Sequence, residues 1–535
     1  MNPYYQLNPI LADTTVNVFF EELLAMSLPE FDEWVVCAHK RMKENWDSLG
    51  QPPKMGRSES VMISEFNKLS SANVSVFCKD DELTPNQKGT LIQNNFYQGA
   101  EVDQFFENMQ KVKMCYGSSG GGVGISMYDI FSDPKYQKSL IRRSRRHFRR
   151  DSFYHFSTTL KRNESEISEF PCETGVEWIK NFRKHPEMYD GHDFWICENK
   201  VSKSKSTGYV TVVQSDSLTL SADEVRTIHG HQPFTSLQLA NININALDSN
   251  KVYMIRLYKK GQRIYPKGFC AYRIGYISNA VNFPAMTAKY LYEKYTNHLV
   301  KENRDIIIYD PSMGWGGRLL GALSVKDDRR IHYVGTDPNP ENVHVDGVSK
   351  YSHIVKFFNE KTYRGSGFFS QKNTAEFYQD GSEVISENPE FHQYRGRLDL
   401  VFTSPPYFNR EGYSTDANQS SVKFNTYPSW RDGFLIPTLE TSVSYLRPGG
   451  YLLWNVADVL TPEGYLPLEK DSLECLGRLG MKYQETLKLT LQSMSGQQRL
   501  NPDGTPKCKN FCKLNGRYLK YEPIFVFRKP MIESK

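Results

Sequence analysis

"DIIIYDPSMGWGGRLLGAL", residues 305–323, carries three signals in a row. The run Ile306-Ile307-Ile308 reads as a buried strand, Gly314, Gly316 and Gly317 as a tight turn, and Arg318–Leu323 as a helix. A strand, a glycine turn and a helix open a doubly wound α/β sheet. Working outward, "FPAMTAKYLYEKYT" (283–296) reads as a preceding helix with Pro284 near its first turn. Downstream, "IHYVGTD", "TAEFYQD" and "LDLVFTS" read as strands. "GFLIPTLETSVSYL" then reads as a helix, and "GGYLLWNVAD" and "YEPIFVFRKP" as later strands. Strands alternating with helices predict a mostly parallel sheet.

In such a sheet a ligand sits beyond the carboxyl ends of the strands. Several candidate residues fall there. Asp310, Pro311, Gly314 and Gly316 end the first strand. Asp337 ends the next, 23 residues after Gly314, near the usual spacing for an acid that hydrogen-bonds a ribose. Asp380 follows "EFYQ" and is placed to meet an adenine amino group. After Gly314 and Gly316 the third glycine of a dinucleotide fingerprint is replaced by Leu319, which argues against NAD.

The fourth strand ends in Thr403-Ser404-Pro405-Pro406-Tyr407. Prolines cannot donate to a sheet ladder, so the strand must stop there. The Ser404 hydroxyl and the carbonyl before a proline both accept hydrogen bonds. Together they can grip an exocyclic amino group by its hydrogens and aim its lone pair at a neighbouring electrophile. Proline fixes φ, so the acceptors are placed before the ligand arrives. The Tyr407 ring can stack on a base that has left its helix.

"TSPPY" followed by "FNREGY" resembles the catalytic motif of DNA amino-methyltransferases, which move a methyl group from S-adenosylmethionine to N4 of cytosine or N6 of adenine. "DPSMGWGGRLLGA" resembles their cofactor motif, "FPAMTAKYLYEKY" the helix before it, "LRPGGYLLWNVAD" the strand after catalysis and "YEPIFVFRK" the closing strand. The resemblance spans roughly residues 265 to 530. It implies an α/β, Rossmann-like methyltransferase sheet with one antiparallel strand in a domain of residues 261–535; residues 1–260, which the resemblance does not cover, are expected to form a large α+β domain.

The resemblance also implies roles. Ser404, Pro405, Pro406 and Tyr407 would hold the amino group. Asp310, Pro311, Gly314 and Gly316 would line the methionine part of S-adenosylmethionine, Asp337 its ribose and Asp380 its adenine, with Phe283 beside them. The sequence departs from the family at Ser312, where an aromatic often stands, and at Trp315, where a small polar residue often stands. Ser rather than Asp before Pro-Pro favours cytosine N4 over adenine N6. RNA methylation stays open, as does a non-catalytic nucleic-acid-binding protein with a relic methyltransferase domain. A solitary, phage-type or restriction-linked modification enzyme in a bacterial or phage-infected cytoplasm fits the pattern.

Composition narrows the remainder. The chain has 535 residues, 39% hydrophobic content and a net charge of +5, which allows a nucleic-acid partner without demanding one. Its nine scattered cysteines fit a reducing compartment, and "CKNFC" (508–512) lacks a second pair with zinc spacing, so no metal is expected. No stretch has the apolar length of a membrane span, and the N-terminus lacks the pattern of a signal peptide. "YGSSGGGVGIS" (116–126) reads as a flexible loop. "SLIRRSRRHFRR" (139–150) brings Arg142, Arg143, Arg145, Arg146, Arg149 and Arg150 together, either as a solvated face or as a contact with the phosphates of double-stranded DNA. Target recognition is left to residues 1–260, the loop 408–430 or the segment 493–518.

Overall fold

A computed structural model of the chain describes residues 13–19, 26–49, 59–73, 78–93, 100–106, 112–114, 157–160, 182–203, 210–213, 235–241, 252–259, 281–326, 329–343, 346–362, 373–413, 415–491, 501, 503–506 and 508–531, with a few single positions between them. By contact the chain divides into two units, one of residues 1–6, 56–126 and 279–535, the other of residues 7–55 and 127–278. The expected division at 260/261 therefore falls elsewhere. Residues 56–126 belong with the C-terminal sheet, and the reason lies at the edge of that sheet.

We number the strands of the larger unit β1 (Cys78–Lys79), β2 (Leu91–Ile92), β3 (Asp305–Asp310), β4 (Arg330–Thr336), β5 (Thr374–Tyr378), β6 (Leu398–Thr403), β7 (Leu446–Asn455), β8 (Lys482–Thr490), β9 (Phe511–Leu514) and β10 (Arg517–Arg528). Among the described residues they form a ten-stranded sheet in the order β1-β2-β8-β10-β7-β6-β3-β4-β5, with β9 paired to β10. From β7 to β5 every pairing is parallel. β10 runs antiparallel to both β7 and β8. This is the Rossmann-like sheet the sequence predicts. The chain turns back between β3 and β6, which places the switch point there.

Local sequence explains these elements. Ile306, Ile307, Ile308 and Tyr309 are all buried, as the inner strand of a parallel sheet requires. Every residue of β6 is buried. Pro284, with φ −62°, caps helix α1 (Ala285–Thr296), because its fixed φ suits a helix start and it has no N–H to satisfy. The helix read from "GFLIPTLETSVSYL" becomes a π-helical turn over Arg431–Leu435 followed by helix α2 (Ile436–Tyr445). Pro437 cannot donate to the preceding turn, which is where such irregularity is expected.

The edge strands come from the N-terminal half. Leu91 and Ile92 pair with Lys488 and Leu489 of β8. Asp81 is buried and pairs with Lys488 Nζ at 2.5 Å, and it also accepts from the Lys513 backbone N–H at 3.0 Å. A buried carboxylate tied to both β8 and β9 fixes this segment to the C-terminal hairpin. Composition could not show this, since a two-residue strand leaves no periodic signal.

The smaller unit holds a helix, Leu28–Leu49, and a four-stranded antiparallel sheet ordered 157–160, 252–259, 192–203, 210–213. The helix Leu28–Leu49 has a clear start. Glu30 reaches back to the Ser27 N–H at 2.7 Å and Pro29 occupies the first turn, two signals that set a start. Phe31, Trp34, Val35 and Ala38 are buried at helical spacing. Among the described residues no helix is long and apolar enough to cross a membrane.

Candidate active site

The turn after β3 is the first wall of the site. Gly314 and Gly316 have φ of +58° and +74°, a region L side chains rarely adopt, so glycine is needed to turn the chain there. The turn is held from several sides. The Gly314 N–H donates to Asp337 Oδ2 at 2.9 Å, and the Met313 N–H donates to the Thr336 carbonyl at 3.1 Å. The Tyr351 hydroxyl donates to the Gly314 carbonyl at 2.6 Å. Asn282 spans the turn, accepting from the Gly317 N–H at 3.0 Å and donating to the Trp315 carbonyl at 2.6 Å. A Cβ on Gly317 would lie 2.2 Å from the Phe283 carbonyl, so only glycine admits this approach.

Asp310 joins the two motifs. Its carboxylate is fully buried and accepts from Arg318 Nε at 2.7 Å, the Thr403 hydroxyl at 2.8 Å, the Ser312 N–H at 3.2 Å and the Tyr333 hydroxyl. Those donors fill the lone-pair sites a carboxylate offers. These bonds lock the glycine turn to the strand that ends in Ser404. Pro311 contributes similarly, its carbonyl accepting from the Thr336 hydroxyl at 2.8 Å. Phe283 lies edge-on to Phe402 with centroids 5.2 Å apart and beneath the Arg318 guanidinium.

Asp337 keeps part of its residue surface exposed while its carboxyl sits deep. Burial pushes its pKa up to about 6, and backbone hydrogen bonds from Asn339 and Gly314 oppose the rise. Asn342 donates to Asp337 Oδ1 at 2.9 Å and to the Tyr351 hydroxyl at 2.8 Å. The Asn342 Oδ1 atom is buried and has no hydrogen-bond partner among the described residues. Buried acceptors are rarely left unpaired, so this one calls for a donor. Asp380 lies past β5 and accepts from Asn388 Nδ2 at 3.0 Å.

The second wall is Ser404–Tyr407. Ser404, Pro406 and Tyr407 are half-buried and Pro405 is buried. The Tyr407 hydroxyl donates to the Asn455 carbonyl at 3.2 Å, with Ser404 Oγ 3.5 Å away and Glu522 Oε2 at 3.5 Å. Burial raises the Tyr407 phenol well above its ordinary pKa, so it stays protonated. Phe408 follows with φ +54°, a strained conformation for a bulky residue that turns the chain sharply away from the prolines. Trp315, which departs from the family pattern, is nearly buried and lies edge-on to Tyr413 with centroids 5.5 Å apart. It thus joins the glycine turn to the loop beyond Tyr407.

The structure therefore brings together Phe283, Asp310, Pro311, Gly314, Gly316, Asp337, Asp380 and Ser404–Tyr407 at one edge of the sheet. Asn282, Arg318, Asn342, Glu411, Asn455 and Glu522 were missed by sequence reasoning. Asn282 had one local signal, a polar side chain directly ahead of the Phe283-Pro284 helix start. The others gain meaning only from pairings between distant segments. Arg142, Arg143, Arg145, Arg146, Arg149 and Arg150 lie outside the described residues, as does most of the glycine-rich loop. In "CKNFC" the Cys508 and Cys512 thiols contact the Asn510 and Leu519 carbonyls, and burial pushes the Cys512 thiol up to about 12.

No protein-family description matches the chain, and no curated protein does. Solved structures resemble it in part. A SAM-dependent methyltransferase from Methanosarcina mazei is 14% identical over 43% of this chain and 95% of its own, with a TM-score of 0.23. A 1,6-didemethyltoxoflavin N1-methyltransferase from Burkholderia thailandensis is 11% identical over 46% and 78%, with a TM-score of 0.24. A Thermus thermophilus protein provisionally assigned as a DNA modification methylase, solved with S-adenosylmethionine, is 23% identical over 29% and 54%, with a TM-score of 0.19. This chain spans about half the length of that last protein. Similarity of this extent carries no argument about substrate.

Proposed function

We propose that the protein is an S-adenosylmethionine-dependent DNA methyltransferase that methylates the exocyclic amino group of a base, with cytosine N4 favoured over adenine N6. One observation carries the reading. The Ser404-Pro405-Pro406-Tyr407 wall stands beside the Gly314–Gly317 turn across the switch point, and the Thr403–Asp310 hydrogen bond of 2.8 Å joins them.

The residues present suit the cofactor. The carboxyl of Asp337 and the unpartnered Oδ1 of Asn342 are acceptors for the two ribose hydroxyls. The glycine turn leaves backbone beside the methionine portion, and Asp380 is an acceptor for the adenine amino group. When bound, S-adenosylmethionine supplies an electrophilic methyl group. The protein's own part is positioning. Ser404 Oγ and the Pro405 carbonyl accept the amino hydrogens, Tyr407 stacks on the flipped base, and the prolines keep these groups from relaxing. The arginine run 142–150 supplies phosphate contacts in this reading.

The test is direct. Purified protein is incubated with labelled S-adenosylmethionine and mixed-sequence double-stranded DNA, which is then digested and its nucleosides separated by mass. N4-methyldeoxycytidine is expected. N6-methyldeoxyadenosine would move the target base, label in RNA alone would replace the substrate class, and absence of cofactor binding would overturn the reading.

A further inference from the structure

Two carboxylates that the motif does not include converge on the target wall. Glu522, on β10, lies 3.5 Å from the Tyr407 hydroxyl. Glu411 lies in the loop beyond Phe408 and accepts from the Tyr413 hydroxyl. Its position is set twice. Glu411 pairs in an antiparallel ribbon with Met114, and the Tyr413 ring lies edge-on to Trp315 of the glycine turn. Next to Glu522, the Pro523 carbonyl accepts from Asn455 Nδ2 at 2.9 Å. The other side of that amide, Asn455 Oδ1, is buried and has no partner among the described residues. Asn455 is 1% exposed, so water does not satisfy the atom. The wall thus presents acceptors: Ser404 Oγ and the two carboxylates. A ligand rich in N–H donors is what such a wall receives.

Resting on the methyl-transfer reading above, we propose that Glu411 and Glu522 form the proton acceptor of the site, taking the proton that the target amino nitrogen sheds on gaining its methyl group. The nitrogen lone pair forms the N–CH3 bond while the C–S bond of S-adenosylmethionine breaks, its electron pair staying on sulfur. The nitrogen then carries a positive charge. Loss of one N–H proton to a carboxylate oxygen leaves a neutral methylamino base and a carboxylic acid, which later returns its proton to water. The motif itself offers no base. Ser404 is an alcohol, and Tyr407 is held protonated by burial.

Electrostatics agree with the geometry. Burial and the neighbouring Glu522 charge push Glu411 up to about 7, and burial raises Glu522 as well. Arg410 opposes both shifts and Lys520 opposes that of Glu522. Arg318 faces Tyr407, and Lys113 stands across the ribbon from Gly412. Glu411 is thereby placed to exchange its proton near neutral pH, where a base works best, with Glu522 also held above its ordinary range.

Two readouts test this in full-length protein with the isosteric variants E411Q and E522Q. The first needs no cofactor: the infrared carboxylic-acid band of protein labelled with 13C-glutamate, followed against pH. A band that disappears as pH rises through about 7 is expected, and it should be absent in E411Q. The second is single-turnover methyl transfer to DNA against pH. The wild-type rate should climb through the same range to a plateau, and E411Q should lose that limb and run about 100-fold slower on the plateau. Transfer by E411Q and E522Q with the limb intact, or a band that does not titrate, would overturn the acceptor role alone. No transfer by wild type to any nucleic acid, with the band titrating, would overturn the methyl-transfer reading and the acceptor role with it.

Discussion

The two edges of one sheet each bury an aspartate against arginine, to different ends. At the carboxyl edge Asp310 pairs with Arg318, and its remaining bonds go to the glycine turn, to Thr403 and to the Tyr333 hydroxyl. At the amino edge Asp399 of β6 pairs with Arg304 at 2.6 Å and Arg447 at 2.6 Å, and also accepts from the Ile307 N–H at 2.8 Å. Asp399 ties together the starts of three neighbouring strands, β3, β6 and β7. Asp310 ties together two loops that end strands. One buried charge therefore serves the sheet and the other serves whatever the loops hold. The same chemistry becomes stability or positioning according to which end of a parallel strand it occupies.

The sharpest way to break this contrast is to strip the carboxyl edge of its grip. Ser404→Ala with Tyr407→Ala should lower single-turnover methyl transfer by about three orders of magnitude, since catalysis by placement contributes several kcal/mol. Denaturant titration reports separately the packing lost with the half-buried Tyr407 ring, so the loss of transfer is compared at conditions where the variant is folded. A double variant that keeps its activity would show that the wall does not hold the reacting group.

At the opposite edge the expectation reverses. Asp399→Ala leaves Arg304 and Arg447 facing each other with their shared carboxylate gone. Breaking a buried pair in this way costs about 3–5 kcal/mol, which denaturant titration would read directly. Arg304 and Arg447 keep Glu302 as a partner, which favours the lower end. Affinity of the folded fraction for cofactor should be unchanged. A large loss of affinity instead would mean that the amino edge also shapes the site.

What was legible in the sequence follows the same division. The strands of the sheet are long apolar runs, and Asp310, Asp337 and Ser404 stand at their ends, so order and edge could be read from pattern alone. Asn342 and Asn455 could not, because an unpaired buried amide is defined by what surrounds it and not by its neighbours in sequence. Glu411 and Glu522 lie more than a hundred residues apart, and only the antiparallel return of β10 sets one beside the motif and the other facing it. The first edge strands escaped notice because β1 and β2 are two residues each. Their attachment rests on Asp81 and Lys488, two residues that read separately as surface charges.

Asp337 sharpens the comparison further, because it is a carboxyl-edge acid whose charge is only partly compensated. Asp310 has Arg318 beside it. Asp337 has backbone N–H groups and an amide, and burial lifts it to about 6. Hydroxyl donors from a bound ribose favour the ionised form, so they lower its pKa and release a proton when they bind below that value. The sign follows. Cofactor affinity should rise as pH climbs from about 5 toward 7 and then level off, with the bend near 6. Asp337→Asn removes the titration, so its affinity should be weaker and flat across that range, as isothermal titration in buffers of different ionisation enthalpy would show. Folding should respond in the opposite sense. The unfolded chain ionises this carboxyl near 3.8 while the folded protein resists until about 6, so Asp337 costs stability progressively between those values, and stability should fall as pH rises through that range in the wild type but not in the Asn variant. A carboxyl edge that gains stability when its acid is neutralised, beside an amino edge that loses stability when Asp399 is removed, is the signature of a site strained toward its ligand rather than toward the fold.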